Sequence, residues 1–142
     1  AIRAVKDVVS IPVIANGDIV DAASAREALR LSGADGVMVG RGAQGAPWRL
    51  AGIAAALYGD PAPIVPEGPD FVRLVSEHYE AMLGFYGATL GNRVARKHLG
   101  WYMDRAATPA DLRKRVLTAT DPATVLTLLT DALDRAPARQ AA

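Results

Sequence analysis

Ile11-Pro12-Val13-Ile14-Ala15-Asn16-Gly17-Asp18 and Gly36-Val37-Met38-Val39-Gly40-Arg41-Gly42 decide how this chain folds. Each begins as a short apolar run of β type and ends in a glycine-containing turn that leads into a helical pattern. The two lie one βα repeat apart. Glycine lets a backbone approach an anion closely, and free N–H groups at such a turn point toward it. Two turns in this register predict the last two βα units of a (β/α)8 barrel, whose final strand loops often hold a phosphate. Tight βα turns with a solvated Arg41 are the plainer alternative. On its own the pattern serves a phosphosugar enzyme as well as a flavin enzyme.

Around this pair, residues 1–58 alternate helix, strand, helix, strand, helix. Ile2, Val5, Val8 and Val9 have helical spacing, so a helix is expected from the first residues. Asp21 is the expected N-cap of a helix Ala22–Leu31, with Ser24 competing, and Ala25, Ala28, Leu29 and Leu31 form its apolar side. Gly33 suits the position just past the helix end. Val37, Met38 and Val39 read as a parallel strand buried on both faces. Pro47 is expected in the first turn of a helix through Leu57, packed by Trp48, Leu50, Ile53, Ala54 and Leu57. Two parallel strands leave open edges and bare faces, so this part predicts neighbouring strands in cis or in trans.

Four of the nine prolines fall in residues 59–70, which marks a stiff linker and the expected domain boundary. Residues 71–142 contain no convincing strand. Phe71, Leu74, Val75, His78, Met82 and Phe85 line one side of a helix that Gly84 and Gly87 weaken. A second helix is expected over Ala88–Arg105. Thr108-Pro109-Ala110-Asp111 starts a third with Pro at its first position, and Asp121-Pro122 a fourth, with Val125, Leu128, Leu129, Ala132 and Leu133 inward. The fold class is therefore α/β plus all-α: barrel βα units, then a helical bundle.

Composition narrows the chemistry. The 142 residues carry a formal net charge of +1, so bulk charge names no partner. There is no cysteine, which removes a disulfide framework, a thiolate metal site and a cysteine nucleophile from these residues. No apolar run is long enough to span a membrane, no signal peptide opens the chain, and a cytoplasmic setting is expected. His78 and His98 each fall on an apolar helix face and read as packed, hydrogen-bonded histidines, without the spacing of a two-histidine metal site. Asp18, Asp21 and Asp35 read as turn and cap residues. No nucleophile–base constellation or metal site is present in the pattern, so no catalytic residue is assigned.

The second helix of the C-terminal half segregates cleanly. Arg93, Arg96 and Lys97 share one face at i, i+3 and i+4, while Val94, Ala95, His98, Leu99 and Tyr102 occupy the other, with Trp101 at the seam. Taken alone, the stripe reads first as a solvated face with a core tryptophan. Cations edged by an aromatic ring also suit a nucleic-acid backbone. Lys114, with Arg113 or Arg115, extends the basic patch if the next helix packs alongside.

These residues together resemble a known family. Ile11 to Ile19, Gly33 to Ala43 and Pro47-Trp48 look like the end of the tRNA-dihydrouridine synthase barrel. Arg93-Val94-Ala95-Arg96-Lys97-His98-Leu99-Gly100-Trp101-Tyr102 looks like the signature of its C-terminal helical domain in the bacterial B-type branch. The barrel motifs are shared with other flavin barrels; their pairing with the second run is more specific. The resemblance implies an FMN enzyme in which NADPH reduces the flavin, the flavin passes hydride to C6 of a tRNA uridine, and a cysteine protonates C5. It implies FMN-phosphate contacts at Asn16, Gly17, Asp18, Gly40 and Arg41, and tRNA contacts at Arg93, Arg96, Lys97 and Trp101. The family cysteine, the flavin-ring contacts and six further barrel strands are expected before Ala1, so these residues alone are expected to be inactive. Two rival readings remain at this point: a non-catalytic RNA-binding helical module with a barrel remnant, and a flavin or phosphosugar barrel enzyme acting on a small metabolite.

Overall fold

The computed structural model describes residues 1–134. It divides into two compact units, Ala1–Val65 and a second beginning at Pro66.

The first unit runs α1 (Ile2–Lys6), β1 (Ile14–Asn16), α2 (Ala22–Ser32), β2 (Gly36–Met38), a 3₁₀ turn (Arg41–Ala43) and α3 (Arg49–Tyr58). The strands pair in parallel, Ile14 opposite Gly36, Ala15 opposite Val37 and Asn16 opposite Met38. Asp21 and Ser24 form a reciprocal cap on α2: the Asp21 carboxylate accepts the Ser24 N–H at 2.7 Å, and the Ser24 hydroxyl accepts the Asp21 N–H at 3.1 Å. Ser24 thus completes the cap that Asp21 opens. Gly33 closes the helix at φ 65°, donating to Leu29 O at 2.8 Å.

Helix α1 is shorter than its apolar spacing predicts. It ends at Lys6, leaving Val8 exposed. Polar contacts hold it instead. Arg3 donates to the carbonyls of Leu31 and Arg30 at the open end of α2. Lys6 pairs with Asp35 at 2.7 Å, and the same carboxylate accepts the Val13 N–H just before β1. These bonds satisfy orphan carbonyls at a helix terminus and fix where β1 begins. Asp35 is therefore a clamp between chain segments, more than a turn residue.

The core of this unit is Ile19, Ala25 and Ile53, with Ala28, Val37, Val39 and Leu57 partly buried around it. One face of the sheet is covered, and the other is bare. Ala15 is buried, but Ile14 and Met38 are exposed, so β2 is not buried on both faces as its apolar run suggests. Leu31 and Leu50, expected on packing sides, are also exposed. Helix α3 begins at Arg49, leaving Pro47 and Trp48 in the preceding turn, because the 3₁₀ turn and Gly45 at φ 66° use up that length of chain.

Among the described residues the second unit has four helices: α4 (Gly68–Tyr86), α5 (Ala88–Arg105), α6 (Ala110–Thr118) and α7 (Pro122–Leu133). Helix α4 takes up residues 68–70 of the expected linker and passes through Gly84 without a break. Proline at an early position and Asp70 in the first turn favour its start. Helix α6 starts at Ala110, one residue later than expected, with Pro109 as its N-cap. Helix α7 is capped by Asp121, whose carboxylate accepts the Thr124 N–H at 2.8 Å.

Helix α4 packs along α5 and α7, and α6 packs against both α5 and α7. Phe71, Val75, Tyr79 and Met82 meet Ala95, Leu99, Tyr102 and Met103, with Val125, Leu128, Leu129, Ala132 and Leu133 closing the core. Tyr79 takes an inward place that Phe85 was expected to share; Phe85 is 81% exposed. The buried polar side chain of Asn92 is satisfied. Buried Asn92 accepts from the Tyr79 hydroxyl and donates to the carbonyls of Ala119 and Thr120, tying α5 to the α6–α7 loop.

Gly91 sets the closeness of α4 and α5. A Cβ there would lie 2.6 Å from Met82 O and 2.8 Å from Leu83 Cα, both backbone. Overpacking of this kind costs about 1–3 kcal/mol, and backbone cannot rotate aside. Gly91→Ala should therefore lower the Tm despite its better helix propensity. Gly84→Ala, where no atom lies within 4 Å, should raise it slightly, by about 0.5–1 kcal/mol in stability. Thermal denaturation of the two variants side by side checks this contrast.

Candidate phosphate cleft and cationic helix

Strands β1 and β2 end side by side, so their turns start together. Gly17 follows at φ 144° and Asp18 at φ 47°, a left-handed conformation uncommon for a residue with a side chain. The second turn comes back against the first. A Cβ on Gly42 would stand 2.2 Å from Ile19 O and 3.1 Å from Val20 Cα, so only glycine permits this approach. Arg41 spans the remaining gap and meets Asp18 at 3.1 Å, a pair almost wholly in solvent. Such a pair contributes little to stability and exchanges readily for another partner.

Asn16, Gly17, Asp18, Gly40 and Arg41 are thereby brought to one cleft of about 550 Å³, with Ile19, Val20, Gly42 and Arg49 completing its lining. All five residues that the sequence singled out meet there. The N–H groups of Asp18, Arg41 and Gly42 find no acceptor among the described residues. They are donors with an unmet hydrogen bond at the edge of a cleft that holds two guanidinium groups and one carboxylate. An oxyanion would satisfy them and balance the charge.

Arg49 was not singled out by the sequence. Its guanidinium donates to Gly42 O, which pins the second turn, and its charge helps hold the Asp21 carboxyl below its usual range, behind the stronger hydrogen bonds from Ser24. Its position at the start of α3, just past the glycine turn, was the available signal.

On α5, Arg93 and Lys97 are exposed, and Arg96 is half-buried. None of the three has a carboxylate partner among the described residues, whereas Arg30, Arg41, Arg73 and Arg113 are all ion-paired. The structure divides the stripe. Arg93 and Arg96 line a cleft of about 270 Å³ with Ala88, Thr89, Asn92 and Thr120, and the Arg96 Nε is buried there without a hydrogen-bond partner. Lys97 instead stands over the Trp101 ring, its Nζ 5.2 Å from the centroid. Of the possible extensions, Arg113 is consumed structurally. It donates to Gly100 O at 2.8 Å and pairs with Asp104 at 2.6 Å, seated over a glycine whose Cβ would come within 3.1 Å of it. Lys114 and Arg115 are exposed.

The histidines are packed. His78 Nδ1 lies 3.0 Å from the Tyr102 hydroxyl; His78 and His98 touch edge to face at 5.2 Å, and His98 meets Trp101 at 5.1 Å. Burial depresses both imidazoles below their usual pKa; His98 adds to the effect at His78, and Lys97 adds to it at His98. The folded protein thus binds fewer protons here than the unfolded chain. Stability rises with pH through this range and is lost as the pH falls below the ordinary imidazole value. The Tm should therefore drop on acidification from neutrality toward pH ~5, and less steeply in His78→Gln; parallel curves for the two proteins would contradict this origin. Among the described residues no group of His, Asp or Glu is arranged to hold a metal ion, and no helix is long and apolar enough to cross a membrane.

Two glycine turns closing one cleft at the end of a parallel strand pair, with an all-helical unit bearing unpaired cations, define an α/β plus all-α protein. Its sequence matches one family over residues 1–137, Dihydrouridine synthase (Dus), and the chain belongs to that family. It is 64% identical over 132 residues to the "Probable tRNA-dihydrouridine synthase" of Rhodobacter capsulatus, covering 93% of this chain and 40% of that relative. It is 48% identical to the protein of the same name from Rickettsia conorii, covering 87% of this chain and 38% of the relative. It is 46% identical to "tRNA-dihydrouridine synthase B" of Klebsiella pneumoniae, covering 84% and 37%. The chain thus spans about 40% of the length of the curated relatives it matches.

Proposed function

We propose that this chain is the phosphate-holding end and the tRNA-holding helical unit of an FMN-dependent tRNA-dihydrouridine synthase. The enzyme would act in the cytoplasm, where tRNA is, and take its electrons from NADPH. The observation that carries the reading is the pairing of two sites in a member of this family: a glycine-turn cleft with unmet N–H donors, and an α5 face with unpaired cations.

The cleft fits the phosphate of FMN. Asp18, Arg41 and Gly42 offer main-chain donors. Asn16, Gly17 and Gly40 shape the approach, and Arg41 and Arg49 supply positive charge. Bound FMN, once reduced by NADPH, would supply a hydride to C6 of a uridine, and a proton delivered to C5 would complete the saturation of the C5=C6 bond. These residues would hold its phosphate and so fix where its ring can lie. The bare sheet face, with Ile14 and Met38 exposed, is where further strands of a (β/α)8 barrel would pack.

In the helical unit, Arg93, Arg96 and Lys97 would neutralise tRNA phosphates, with Trp101 beside Lys97 meeting a base or ribose. Residues 1–142 contain no cysteine to act as the acid that the resemblance implies, so they would be inactive alone. The test uses the whole enzyme. Loaded with FMN and given NADPH and unmodified tRNA, it should form dihydrouridine and oxidise the nicotinamide in step. A protein that binds tRNA but carries no flavin would support the non-catalytic module. One that turns over a small metabolite and ignores tRNA at every salt concentration would support the other barrel reading.

A further inference from the structure

The seam between α4 and α5 carries an aromatic residue that neither the core nor the proposed site uses. Phe85 lies near the end of α4 and is 81% exposed; Leu90, in the first turn of α5, is 49% exposed. An exposed aromatic ring is informative where a buried one is not. Phe85 is held in place on one side, meeting Tyr86 edge to face at 4.8 Å. The elbow beneath is tight, because Gly91 brings the start of α5 onto the backbone of Met82 and Leu83.

Helical spacing puts Phe85 on the same edge as the cation–aromatic pair. Phe85 falls two turns after His78 on α4. Leu90 falls two turns before Lys97 and three before Trp101 on α5. His78 meets His98 across the two helices, and His98 meets Trp101 one turn further along α5, so the Leu90, Lys97 and Trp101 row runs on the outer edge of α5 beside the place where α4 joins it. The seam therefore has Trp101 under Lys97 along its length and Phe85 with Leu90 at its elbow end. From Leu90 to Trp101 the helix rises about 16 Å, and Arg93 and Lys97, exposed and without carboxylate partners, lie between.

We propose that Phe85 is a second stacking step for the tRNA: an unstacked base lies on its ring, while Arg93 and Lys97 take the phosphates between it and Trp101. Unpaired cations beside two aromatic rings are the pattern that suits a single strand, in which bases are free to leave their neighbours. A protein partner docking on Phe85 and Leu90 would need no such row of cations. The inference rests on the reading of α5 as the tRNA face.

The test measures tRNA binding by the whole enzyme across a range of salt concentrations for Phe85→Ala, Phe85→Leu, Phe85→Trp and Arg93→Gln. Loss of one stacked base should weaken binding about 5- to 150-fold. Phe85→Ala and Phe85→Leu should both show this with the salt slope unchanged, because no phosphate contact is lost. Phe85→Trp should bind as the parent does, and its fluorescence should change on adding tRNA. Arg93→Gln should lower the slope by about 0.7–0.9. If Phe85→Ala binds normally while Arg93→Gln weakens binding and flattens the slope, the stacking step is wrong and the α5 reading stands. If neither variant changes binding, both are wrong. If Phe85→Ala lowers the Tm by several degrees and leaves tRNA affinity intact, Phe85 packs against protein, which overturns the proposal.

Discussion

Gly42→Ala should strip the flavin from the whole enzyme if the cleft holds FMN as proposed. The added Cβ would sit 2.2 Å from Ile19 O and 3.1 Å from Val20 Cα, and neither atom can rotate away. The second turn must lift off the first, and the N–H donors of Arg41 and Gly42 would then point past an anion held at Asp18. Preorganised donors lose most of their value when displaced by about 1 Å. We expect at least a hundredfold weaker FMN binding, about 3 kcal/mol, and a protein that purifies colourless. Gly52→Ala is the matched control. It lies inside α3, its nearest neighbour would be Pro63 Cγ at 3.8 Å, and flavin should be retained. Flavin titration of both variants decides the matter. Full retention in Gly42→Ala would show that the contact between the turns is not what shapes the site.

The second large effect belongs to α5. Replacing Arg93, Arg96 and Lys97 together with Gln removes three cations that no carboxylate neutralises among the described residues. If each meets a tRNA phosphate, the dependence of log affinity on log salt should flatten by about 2–3. Affinity at moderate salt should fall on the order of a hundredfold. Flavin content should not change. Arg41→Ala should show the opposite pattern, with weaker flavin retention and an unaltered salt slope. The triple variant should keep its fold, because Arg93 and Lys97 are exposed and Arg96 makes no hydrogen bond through its buried Nε; its thermal unfolding checks this. An unchanged slope in the triple variant would return the stripe to a solvated helix face.

What could be read from the sequence was what local chemistry decides. The Asp21–Ser24 cap, the Gly33 stop, the Asp121-Pro122 start and both ends of α5 depend on residues within one turn of each other. The meeting of the Asn16-Gly17-Asp18 and Gly40-Arg41 turns was legible because parallel strands in register must end together. Periodicity marked which helix faces are apolar, but it cannot say whether anything covers them. Leu31, Leu50 and Phe85 fit their stripes and are exposed all the same. The remaining misses are long-range. Gly42 lying against Ile19 and Arg113 seated over Gly100 join residues whose own neighbours give no hint of the partner. The start of α3 was misplaced because Pro47 fits a first helical turn, while the 3₁₀ turn before it leaves no typical composition.

The most direct measurement is the position of the FMN phosphate in a crystal structure of the whole, flavin-loaded enzyme. It should lie between the two turns, within hydrogen-bond reach of the Asp18 and Arg41 N–H groups at once, with the Arg49 guanidinium on the same side. A phosphate bound elsewhere, or held by one turn while the other faces solvent, would contradict the account.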